Sequence, residues 1–394
     1  MPGSRAPTEN RGTPMSAQMP ELQDLILDGT KVHWHRDRIA AWDRGERISP
    51  ITIDWSLLPR AKCNYSCAYC YASEAGQFNV GHEIKWPHIE RFLRDCAEIG
   101  VRGLSLVSDG ESSHHPDFVR TIVEGSRLGL DMAVGSNGLI LNEPMSREIV
   151  PALTYFRFNI SAGEPDRYAE IMGVKKSWFY RVCESIRGMV RVKRATGSAC
   201  TIGMQMVLDP KFADQILPLT KLALALEVDY LIIKHCSDDE FGNIGVDYQG
   251  YDPLYPLLRE AESLSSVKPR SAVKWSKIGD KGTRNYERCY GPPFIIQLSG
   301  TGLVAPCGML FHERYKEKFH IGNICETGFK EIWQSDRYWE VMRLLSSDKF
   351  NAKTMCGTLC LQHRTNDLLN QHKEGKANLL DYPLTPLPPH GSFI

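Results

Sequence analysis

Hydrophobic residues from position 51 onward form short continuous runs that alternate with amphipathic stretches. The continuous runs, which are rich in β-branched and aromatic residues, predict six strands at 51–55, 103–108, 131–136, 155–161, 201–208 and 229–235. Apolar residues at helical spacing predict helices near 87–99, 115–129, 143–151, 177–195 and 212–226. Strands separated by helices in this way are typical of βα units around a parallel sheet that is buried on both faces. Six units are too few for a complete eightfold barrel, so we predict an α/β fold with an open, partial (β/α)6 barrel.

The pattern changes after this region. A polar, Gly-rich loop from residue 237 leads into a predicted helix at 254–263, and we expect this stretch to cover the functional site. Two short strands around the turn "SGTG" and a helix near 327–345 follow. The predicted divisions are a disordered tail at 1–27, a strand-and-helix lead-in at 28–50, the barrel at 51–236, a loop-and-helix linker at 237–285, a small domain of β-hairpin plus helix at 286–365 and a loose, Pro-rich strap at 366–394.

Charge and composition narrow the possible functions. The 47 basic and 47 acidic residues balance, so no overall field favours nucleic acid or anionic lipid as a partner. No apolar run reaches the roughly 18 residues of a membrane span, and the polar N-terminus does not have the apolar region of a signal peptide. We therefore predict a cytoplasmic protein. The chain has 12 cysteines, and clustered cysteines in that compartment are more often metal ligands or redox groups than disulfides.

Three of these cysteines lie in the stretch "CNYSCAYC", directly after the first predicted strand. Cys63, Cys67 and Cys70 are spaced C-x3-C-x2-C, and three thiolates at this spacing can bind three irons of a [4Fe–4S] cube while the fourth iron stays open. A zinc site with a distant fourth ligand is the alternative, but zinc sites favour paired C-x2-C motifs. The loop follows a strand at its C-terminal end, where catalytic groups collect in βα barrels.

This arrangement resembles the radical S-adenosylmethionine (radical SAM) superfamily. The resemblance implies that Cys63, Cys67 and Cys70 bind a [4Fe–4S] cluster and that the amino and carboxylate groups of SAM chelate the open iron. Segments after the next strands, "SDGES", "GSNG" and "NISAG", are similar to the SAM-binding motifs of the family. By this resemblance, the SAM-binding residues are Tyr69, Gly110, Glu111, Ser136, Asn137 and Ser161. In "SDGES", Asp109 and Ser112 replace a Gly and the Pro of the family's Gly-Gly-Glu-Pro motif.

A second group of cysteines lies in the C-terminal part of the chain. Two of them frame the predicted hairpin and two follow the predicted helix, namely Cys289, Cys307, Cys356 and Cys360. With the intervening "IGNI" and "IW" segments, they resemble the SPASM or twitch extension of radical SAM enzymes. The resemblance implies one auxiliary [4Fe–4S] cluster with all four irons ligated by protein, and a four-cysteine zinc site is the alternative.

Two further cysteines are candidate hydrogen-atom donors to a substrate radical. Cys236 follows the sixth strand beside Lys234, His235, Asp238 and Asp239. Cys325 is the cysteine of the Gly-Asn-Ile segment, "IGNIC". Either could also ligate iron or have no role in the reaction. Cys96 and Cys183 fall in helical patterns and Cys200 at a strand start, so we expect these to be structural.

The family resemblance implies a reaction type but not a substrate. Cleavage of SAM would give a 5′-deoxyadenosyl radical that abstracts a hydrogen atom, with oxidation or epimerisation as the outcome. We expect a small, sugar- or cyclitol-like substrate of a biosynthetic pathway and a flavodoxin- or ferredoxin-type electron donor. The alternatives are a peptide-modifying radical SAM/SPASM maturase, against which the short 28–50 lead-in argues, and a non-catalytic iron–sulfur or zinc protein.

Overall fold

The computed structural model describes residues 25–27, 29–74, 83–107, 109–238, 241–264, 269–358, 360–383 and 385–394. The predicted disordered tail at 1–27 lies almost wholly outside these residues, as do Ser108 and Asp239. The strands are β1 (Thr52–Trp55), β2 (Gly103–Leu106), β3 (Asp131–Ser136), β4 (Tyr155–Asn159), β5 (Thr201–Leu208), β6 (Tyr230–His235), β7 (Arg270–Val273), β8 (Ile295–Leu298), β9 (Leu303–Ala305) and β10 (Gly322–Asn323).

Helices connect and cover these strands. They are α1 (Arg36–Asp43), α2 (Tyr71–Glu74), α3 (Trp86–Ile99), α4 (Phe118–Arg127), α5 (Glu143–Ile149), α6 (Pro165–Met172), α7 (Ser177–Thr196), α8 (Ile216–Ala225), α9 (Tyr255–Leu264), α10 (Trp275–Gly279), α11 (Lys316–Phe319), α12 (Phe329–Gln334), α13 (Asp336–Ser346) and α14 (His363–Lys373). Within the described residues, none of the helices is both long and apolar enough to cross a bilayer.

The strands form one sheet in the order β10-β9-β8-β1-β2-β3-β4-β5-β6-β7. Strands β1 to β6 are parallel neighbours in sequence order, and this confirms the predicted partial βα barrel. Two parallel strands that the pattern did not predict as barrel strands extend it, β7 beside β6 and β8 beside β1. The predicted hairpin is present as the antiparallel pair β8 and β9. The C-terminal domain therefore continues the sheet of the barrel.

Helix α3 illustrates how the covering helices form. Proline in its first turn suits a helix start, and Gly100, at φ 86°, ends it in the left-handed conformation that glycine tolerates best. Its buried face consists of Ile89, Phe92, Leu93 and Cys96. Phe92 packs edge-on against Trp55 of β1 with ring centroids 4.6 Å apart. The predicted structural role of Cys96 fits this position in the core.

The C-terminal segment closes the barrel at the N-terminal ends of its strands. Ser392 accepts a hydrogen bond from Thr52 Oγ1 at 2.8 Å through its carbonyl and donates one to Asp131 Oδ2 at 2.6 Å through its hydroxyl. The Phe393 ring lies edge-on to that of Tyr155, with centroids 5.0 Å apart. The expectation of a loose strap is therefore wrong for these last residues, because their side chains are buried under the sheet. The opposite, C-terminal strand ends remain for the functional site.

Candidate functional site

A cavity of about 220 Å³ opens at the C-terminal ends of the barrel strands. The cysteine loop after β1 forms one side of it, and residues of β4, β5 and β6 form the other. Seven of the predicted site residues line this cavity, and they are Cys63, Cys67, Cys70, Tyr69, Gly110, Glu111 and Asn137. The structure thus brings the three cysteines and most of the predicted SAM-binding residues to one cavity.

Helix α6 fixes the cysteine loop from outside the cavity. The Ala68 N–H donates to the Ile171 carbonyl at 2.9 Å, and the hydroxyls of Tyr65 and Tyr168 are 2.7 Å apart. Gly173, which ends α6 at φ 63°, approaches the loop so closely that a Cβ there would lie 2.2 Å from the Ser66 carbonyl oxygen. The loop is thereby held in place by its backbone as well as by its side chains.

Burial makes the cysteine loop suited to a metal cluster. It raises the pKa of the Cys63 thiol to about 11 and that of Cys67 further, because desolvation and the neighbouring thiols oppose a free thiolate. A bound metal supplies the positive charge that such buried thiolates need. Within the described residues, no three His, Cys, Asp or Glu side chains converge closely enough for a single metal ion.

The buried Glu111 carboxylate joins the segments after β2 and β3. Its Oε1 accepts hydrogen bonds from Ser113 Oγ at 2.7 Å and Ser136 Oγ at 2.8 Å. Its Oε2 accepts from the Asn137 N–H at 2.8 Å. Asn137 in turn donates from Nδ2 to Asn64 Oδ1 in the cysteine loop at 2.8 Å. Glu111, Ser136 and Asn137 therefore form one connected network that positions the loops around the cavity.

Both departures from the family motif have contacts that explain them. The Asp109 carboxylate accepts a hydrogen bond from the Gly300 N–H of the β8–β9 turn at 2.9 Å. The Ser112 hydroxyl accepts one from the Leu57 N–H, just after β1, at 3.1 Å. Gly110 lies against the same stretch, and a Cβ there would be 1.8 Å from the Leu58 carbonyl oxygen. In this chain the segment after β2 binds both the start of the cysteine loop and the C-terminal hairpin.

Ser161 and Tyr69 differ in their relation to the cavity. Ser161 is fully buried and its hydroxyl accepts a hydrogen bond from the Val207 N–H of β5 at 3.1 Å. It is not among the described residues that line the cavity, and neither is Ser136. Tyr69 does line the cavity, and its hydroxyl donates to the Met172 sulfur at 3.2 Å. Their roles in SAM binding stay predictions.

The second cysteine group forms a separate, smaller site. Cys289, Cys307, Cys356 and Cys360 all line one cavity of about 30 Å³. Burial and the neighbouring thiols raise the pKa of Cys307 to about 12 and that of Cys289 well above its usual value. Apolar side chains, among them Met309, Leu310 and Phe350, form much of the rest of the wall. Four thiols around a small, enclosed space fit a cluster ligated only by protein.

Two neutral side chains that sequence reasoning missed contact these sulfurs. The Tyr286 hydroxyl donates to Cys360 Sγ at 3.3 Å, and Asn366 Nδ2 donates to Cys289 Sγ at 3.6 Å. Asn366 lies on α14, and its Oδ1 also accepts from the Gly291 N–H at 2.8 Å. Hydrogen bonds to ligand sulfurs tune the reduction potential of a cluster. Helix α14, which the sequence pattern did not predict, is therefore part of the auxiliary site.

The two candidate hydrogen-atom donors lie elsewhere. Cys236 is buried, and its N–H donates to the Leu208 carbonyl at 2.7 Å and to the Tyr251 hydroxyl at 2.9 Å. Cys325 is half-buried in the turn after β10, where its N–H donates to Asn323 Oδ1 at 2.8 Å. Neither is among the described residues that line the large cavity or the four-cysteine cavity.

The deep part of the large cavity contains polar residues that the sequence analysis did not single out. They are Asp54 of β1, Arg157 and Asn159 of β4, Gln205 of β5 and Lys277 of α10. Lys234 and His235, which the analysis placed near the site, line the same cavity. Period-two alternation could have shown that Asp54 and Arg157 point inward, because a charged residue within an apolar strand must find a polar space.

Burial controls the ionisation of these deep residues. It raises the pKa of Asp54 to about 6 against the opposing attraction of Arg157. Desolvation, together with the charges of Arg157 and Lys277, lowers the pKa of Lys234 well below its usual value. Burial and the charge of Lys277 lower the pKa of His235 to about 3, so this imidazole is neutral at physiological pH.

Two known protein families match segments of this chain. The Radical SAM superfamily matches residues 58–211, and the SPASM family, an iron–sulfur cluster-binding domain, matches residues 289–360. These segments contain the two cysteine groups, so the matches confirm the predicted cofactors, SAM and [4Fe–4S] clusters. Among curated relatives, the AdoMet-dependent heme synthase of Methanosarcina barkeri is 22% identical over 78% of this chain and 88% of its own length.

A tungsten-containing aldehyde ferredoxin oxidoreductase cofactor-modifying protein of Pyrococcus furiosus is 21% identical, over 71% of this chain and 80% of its own length. Solved structures with the same fold include Streptococcus suis SuiB bound to S-adenosylmethionine, with a TM-score of 0.57, 16% identity and coverage of 78% of this chain and 71% of that one. Native anSMEcpe with bound AdoMet has a TM-score of 0.56 and 13% identity, over 84% of this chain and 98% of that one.

Proposed function

The chain belongs to the radical SAM superfamily and carries a C-terminal SPASM domain, and we propose that it oxidises a small, polar molecule, sugar- or cyclitol-like, in a biosynthetic pathway. One observation carries this proposal. The cavity beside the three-cysteine loop has a polar, charged interior with a carboxylate whose pKa lies near neutrality, and it adjoins the four-cysteine site. A flavodoxin- or ferredoxin-type protein remains the proposed electron donor.

The cofactors and the protein divide the chemistry between them. When bound, SAM and the clusters supply one-electron chemistry, which is hydrogen-atom abstraction at the first site and electron acceptance at the second. In our proposal Cys63, Cys67 and Cys70 hold the first cluster. The Glu111 network holds the loops around SAM, as its hydrogen bonds to Ser136 and Asn137 support. The buried wall around the cavity excludes water from the reacting carbon.

Asp54 is the proposed proton acceptor. Oxidation of an alcohol to a carbonyl releases a proton as well as electrons, so it needs a base near the substrate. The Asp54 carboxylate lines the cavity and accepts a hydrogen bond from Gln297 Nε2 at 3.1 Å. Because burial raises the pKa of Asp54 to about 6, the group is largely ionised at pH 7 yet basic enough to take a proton.

Oxidation is favoured over epimerisation by the positions of the cysteines. Epimerisation needs a hydrogen-atom donor at the substrate, but neither Cys236 nor Cys325 is among the described residues that line the cavity. The four-cysteine site, by contrast, is adjacent to the large cavity. Lys277 lines the large cavity and donates from Nζ to the Cys360 carbonyl at 3.0 Å, and Leu361, the next residue, also lines that cavity.

A small molecule is favoured over a peptide by two observations. The cavity measures about 220 Å³ and is lined largely by residues at the ends of the barrel strands, which supports a compact substrate. The curated relatives named above are a heme synthase and a cofactor-modifying protein, so the sequence relatives with printed activities act on cofactors.

The proposed role of Asp54 is tested by measuring product formation as a function of pH in the unchanged protein and in the Asp54→Asn variant. A base acts only when it is deprotonated, so we expect product formation to rise as the pH increases through about 6 and then to level off. Asp54→Asn should lower product formation by about 100-fold or more and remove this pH dependence. Single-turnover assays from pH 5 to pH 8 should measure product and 5′-deoxyadenosine together. Equal loss of both, or an unchanged pH profile in the variant, would refute the assignment.

A further inference from the structure

Most charged residues of the large cavity lie on two walls, and Arg60, just before the cysteine loop, is a basic residue on the acidic side. Its acidic side chains, Asp54, Asp109 and Glu111, come from β1 and the segment after β2. Two basic side chains, Arg157 of β4 and Lys234 of β6, come from the opposite part of the sheet. Lys277 of α10 lies with them at the cavity wall. The cavity is therefore positively charged on its β4–β6 side.

The acidic residues offset only part of this positive charge. Glu111 already accepts hydrogen bonds from Ser136 and from the Asn137 N–H. Asp109 accepts one from the Gly300 N–H, on the side of the C-terminal hairpin. Asp54 interacts electrostatically with Arg157 and Lys234, but one carboxylate cannot balance the three basic side chains. The cationic wall thus faces the open space of the cavity.

Arg157 lies between two glycines in the sheet. It is opposite Gly135 of β3 on one side and Gly203 of β5 on the other, and the side chains of Val107 and Tyr230 lie over these two glycines. Within the part of the chain that the structure describes, no group accepts a hydrogen bond from its buried Nε. A guanidinium is always charged, and a buried charge without hydrogen-bond acceptors is unfavourable. This donor therefore points to an acceptor that binds from outside the chain.

Lys234 lines the same cavity as Arg157. Desolvation and the nearby charges of Arg157, Lys277 and Lys274 oppose its ammonium form. An anion bound between Arg157 and Lys234 would offset this repulsion and favour the charged form of Lys234. Gln205 and Asn159, which lie between them on β5 and β4, are neutral and are bonded to each other at 3.1 Å. They cannot supply the missing charge.

We infer that the carboxylate of SAM binds elsewhere. The predicted SAM-binding residues are in the cysteine loop and at the C-terminal ends of the strands, as with Asn137 and Ser161. Arg157 precedes Ser161 by four positions, which is about 13 Å along an extended strand. The anion that the deep wall would bind therefore belongs to a different molecule.

We propose that Arg157, Lys234 and Lys277 form an anion-binding subsite for a carboxylate or phosphate group of the substrate. The identification of that molecule as the substrate rests on the proposed function, whereas the anion site itself does not. The subsite lies opposite Asp54, so an anchored substrate would present its remaining atoms between the anion site and the base. Neutral sugars and cyclitols are then poorer ligands than their acidic or phosphorylated counterparts.

Ligand-induced stabilisation of the reconstituted full-length chain, with clusters and SAM bound, tests this subsite. The probes are sodium malonate for a carboxylate source, inorganic phosphate for a phosphate source and myo-inositol as a neutral polyol, each at about 10 mM and constant ionic strength. We expect malonate or phosphate, but not myo-inositol, to raise the Tm by about 2 °C or more. Whichever of the two anions gives the larger shift identifies the chemical source.

Matched variants show whether the response comes from the cavity. Arg157→Met and Lys234→Met should each lose the Tm response, and Arg157→Lys should retain part of it because it keeps the charge. Lys221→Met, at an exposed position of α8, should respond like the unchanged protein. A response that survives in both Met variants, a response to myo-inositol alone, or no response to any probe would overturn the proposal.

The readouts separate this inference from the proposed function. Formation of 5′-deoxyadenosine reports on the first cluster and SAM, and the anion response does not depend on it. A protein that cleaves SAM but shows no anion response refutes only the subsite. A protein that binds anions through Arg157 and Lys234 but does not cleave SAM refutes only the proposed function.

Discussion

The two cysteine sites of this chain differ in how they are enclosed. Cys63, Cys67 and Cys70 lie on a loop that borders a polar cavity of about 220 Å³. Cys289, Cys307, Cys356 and Cys360 surround a space of about 30 Å³ with largely apolar walls. The first site leaves room for a further ligand beside the thiols, whereas the second leaves very little. In our proposal, the three cysteines beside the cavity serve the chemical step, and the four cysteines in the closed space serve electron transfer.

The sites also differ in how the chain supports them. The open site depends on backbone contacts of the loop with α6 and with the segment after β2, as at Gly173 and Gly110. The closed site depends on side chains of α14 and of the segment before Cys289, which reach its sulfurs. Small changes in the backbone should therefore lower the cluster occupancy of the open site more than that of the closed site. Changes in polar side chains should alter the reduction potential of the closed site.

Loss of one ligand from the open site should have the largest effect. Cys67→Ala removes a ligand from a cluster that has only three, and we expect 5′-deoxyadenosine formation to fall by more than about 1,000-fold. The assay is anaerobic incubation of the reduced protein with SAM and quantification of 5′-deoxyadenosine. Cleavage of SAM at the unchanged rate would contradict the assignment of this loop.

Loss of one ligand from the closed site should leave SAM cleavage in place. Cys307→Ala should reduce the iron content from about eight to about four per chain and abolish the oxidised product, while 5′-deoxyadenosine still forms. Cys96→Ala, at a buried position of α3 outside both sites, is the control and should keep the full iron content. If Cys307→Ala kept eight irons, the four-cysteine site would not be a cluster site.

A glycine substitution at the open site should have the next largest effect. In Gly110→Ala the new Cβ would lie 1.8 Å from the Leu58 carbonyl oxygen, so the start of the cysteine loop must shift. We expect a loss of about 2–4 kcal/mol in stability and a much lower occupancy of the first cluster. Gly188→Ala in α7 has space for the methyl group and should be neutral or slightly stabilising. Equal behaviour of the two variants by thermal unfolding and iron analysis would refute the explanation.

The smallest expected effect is a change in the potential of the closed site. Tyr286→Phe removes the hydrogen bond to Cys360 Sγ, which stabilises the reduced cluster, so the reduction potential should fall by roughly tens of millivolts. A redox titration followed by electron paramagnetic resonance measures it. Tyr290→Phe is the control, because that ring packs against Trp42, and its potential should not change. If the reduction potential shifted equally in both variants, the hydrogen bond from Tyr286 would not be the cause of the shift.

Local patterns in the sequence were sufficient for the barrel and both cysteine groups. The six predicted strands each overlap an observed one, because continuous apolar runs between helices report burial on both faces. Strand β7, "RSAV", was missed because it is short and half polar. The pairing of β8 with β1 was missed because it joins residues more than two hundred positions apart, and no local pattern encodes such a contact.

The polar residues of the cavity were harder to predict than the cysteines. Cysteine spacing is itself a signal, whereas Asp54 and Arg157 are single charges within apolar strands and resemble surface residues until the strands are assembled. The departures at Asp109 and Ser112 could not be interpreted from sequence either. Their partners, the Gly300 and Leu57 N–H groups, come from other parts of the chain.

The buried residues 390–393 lie far along the chain from the strands that they cover. The last parallel strand, β8, ends at Leu298, yet the base of the barrel needs His390, whose Nε2 is 2.7 Å from Thr201 Oγ1, and Ser392, which bonds the first residues of β1 and β3. A nascent chain therefore has all its parallel strands about ninety residues before it can seal their lower ends. The parallel strands are therefore synthesised before the residues that cover their N-terminal ends.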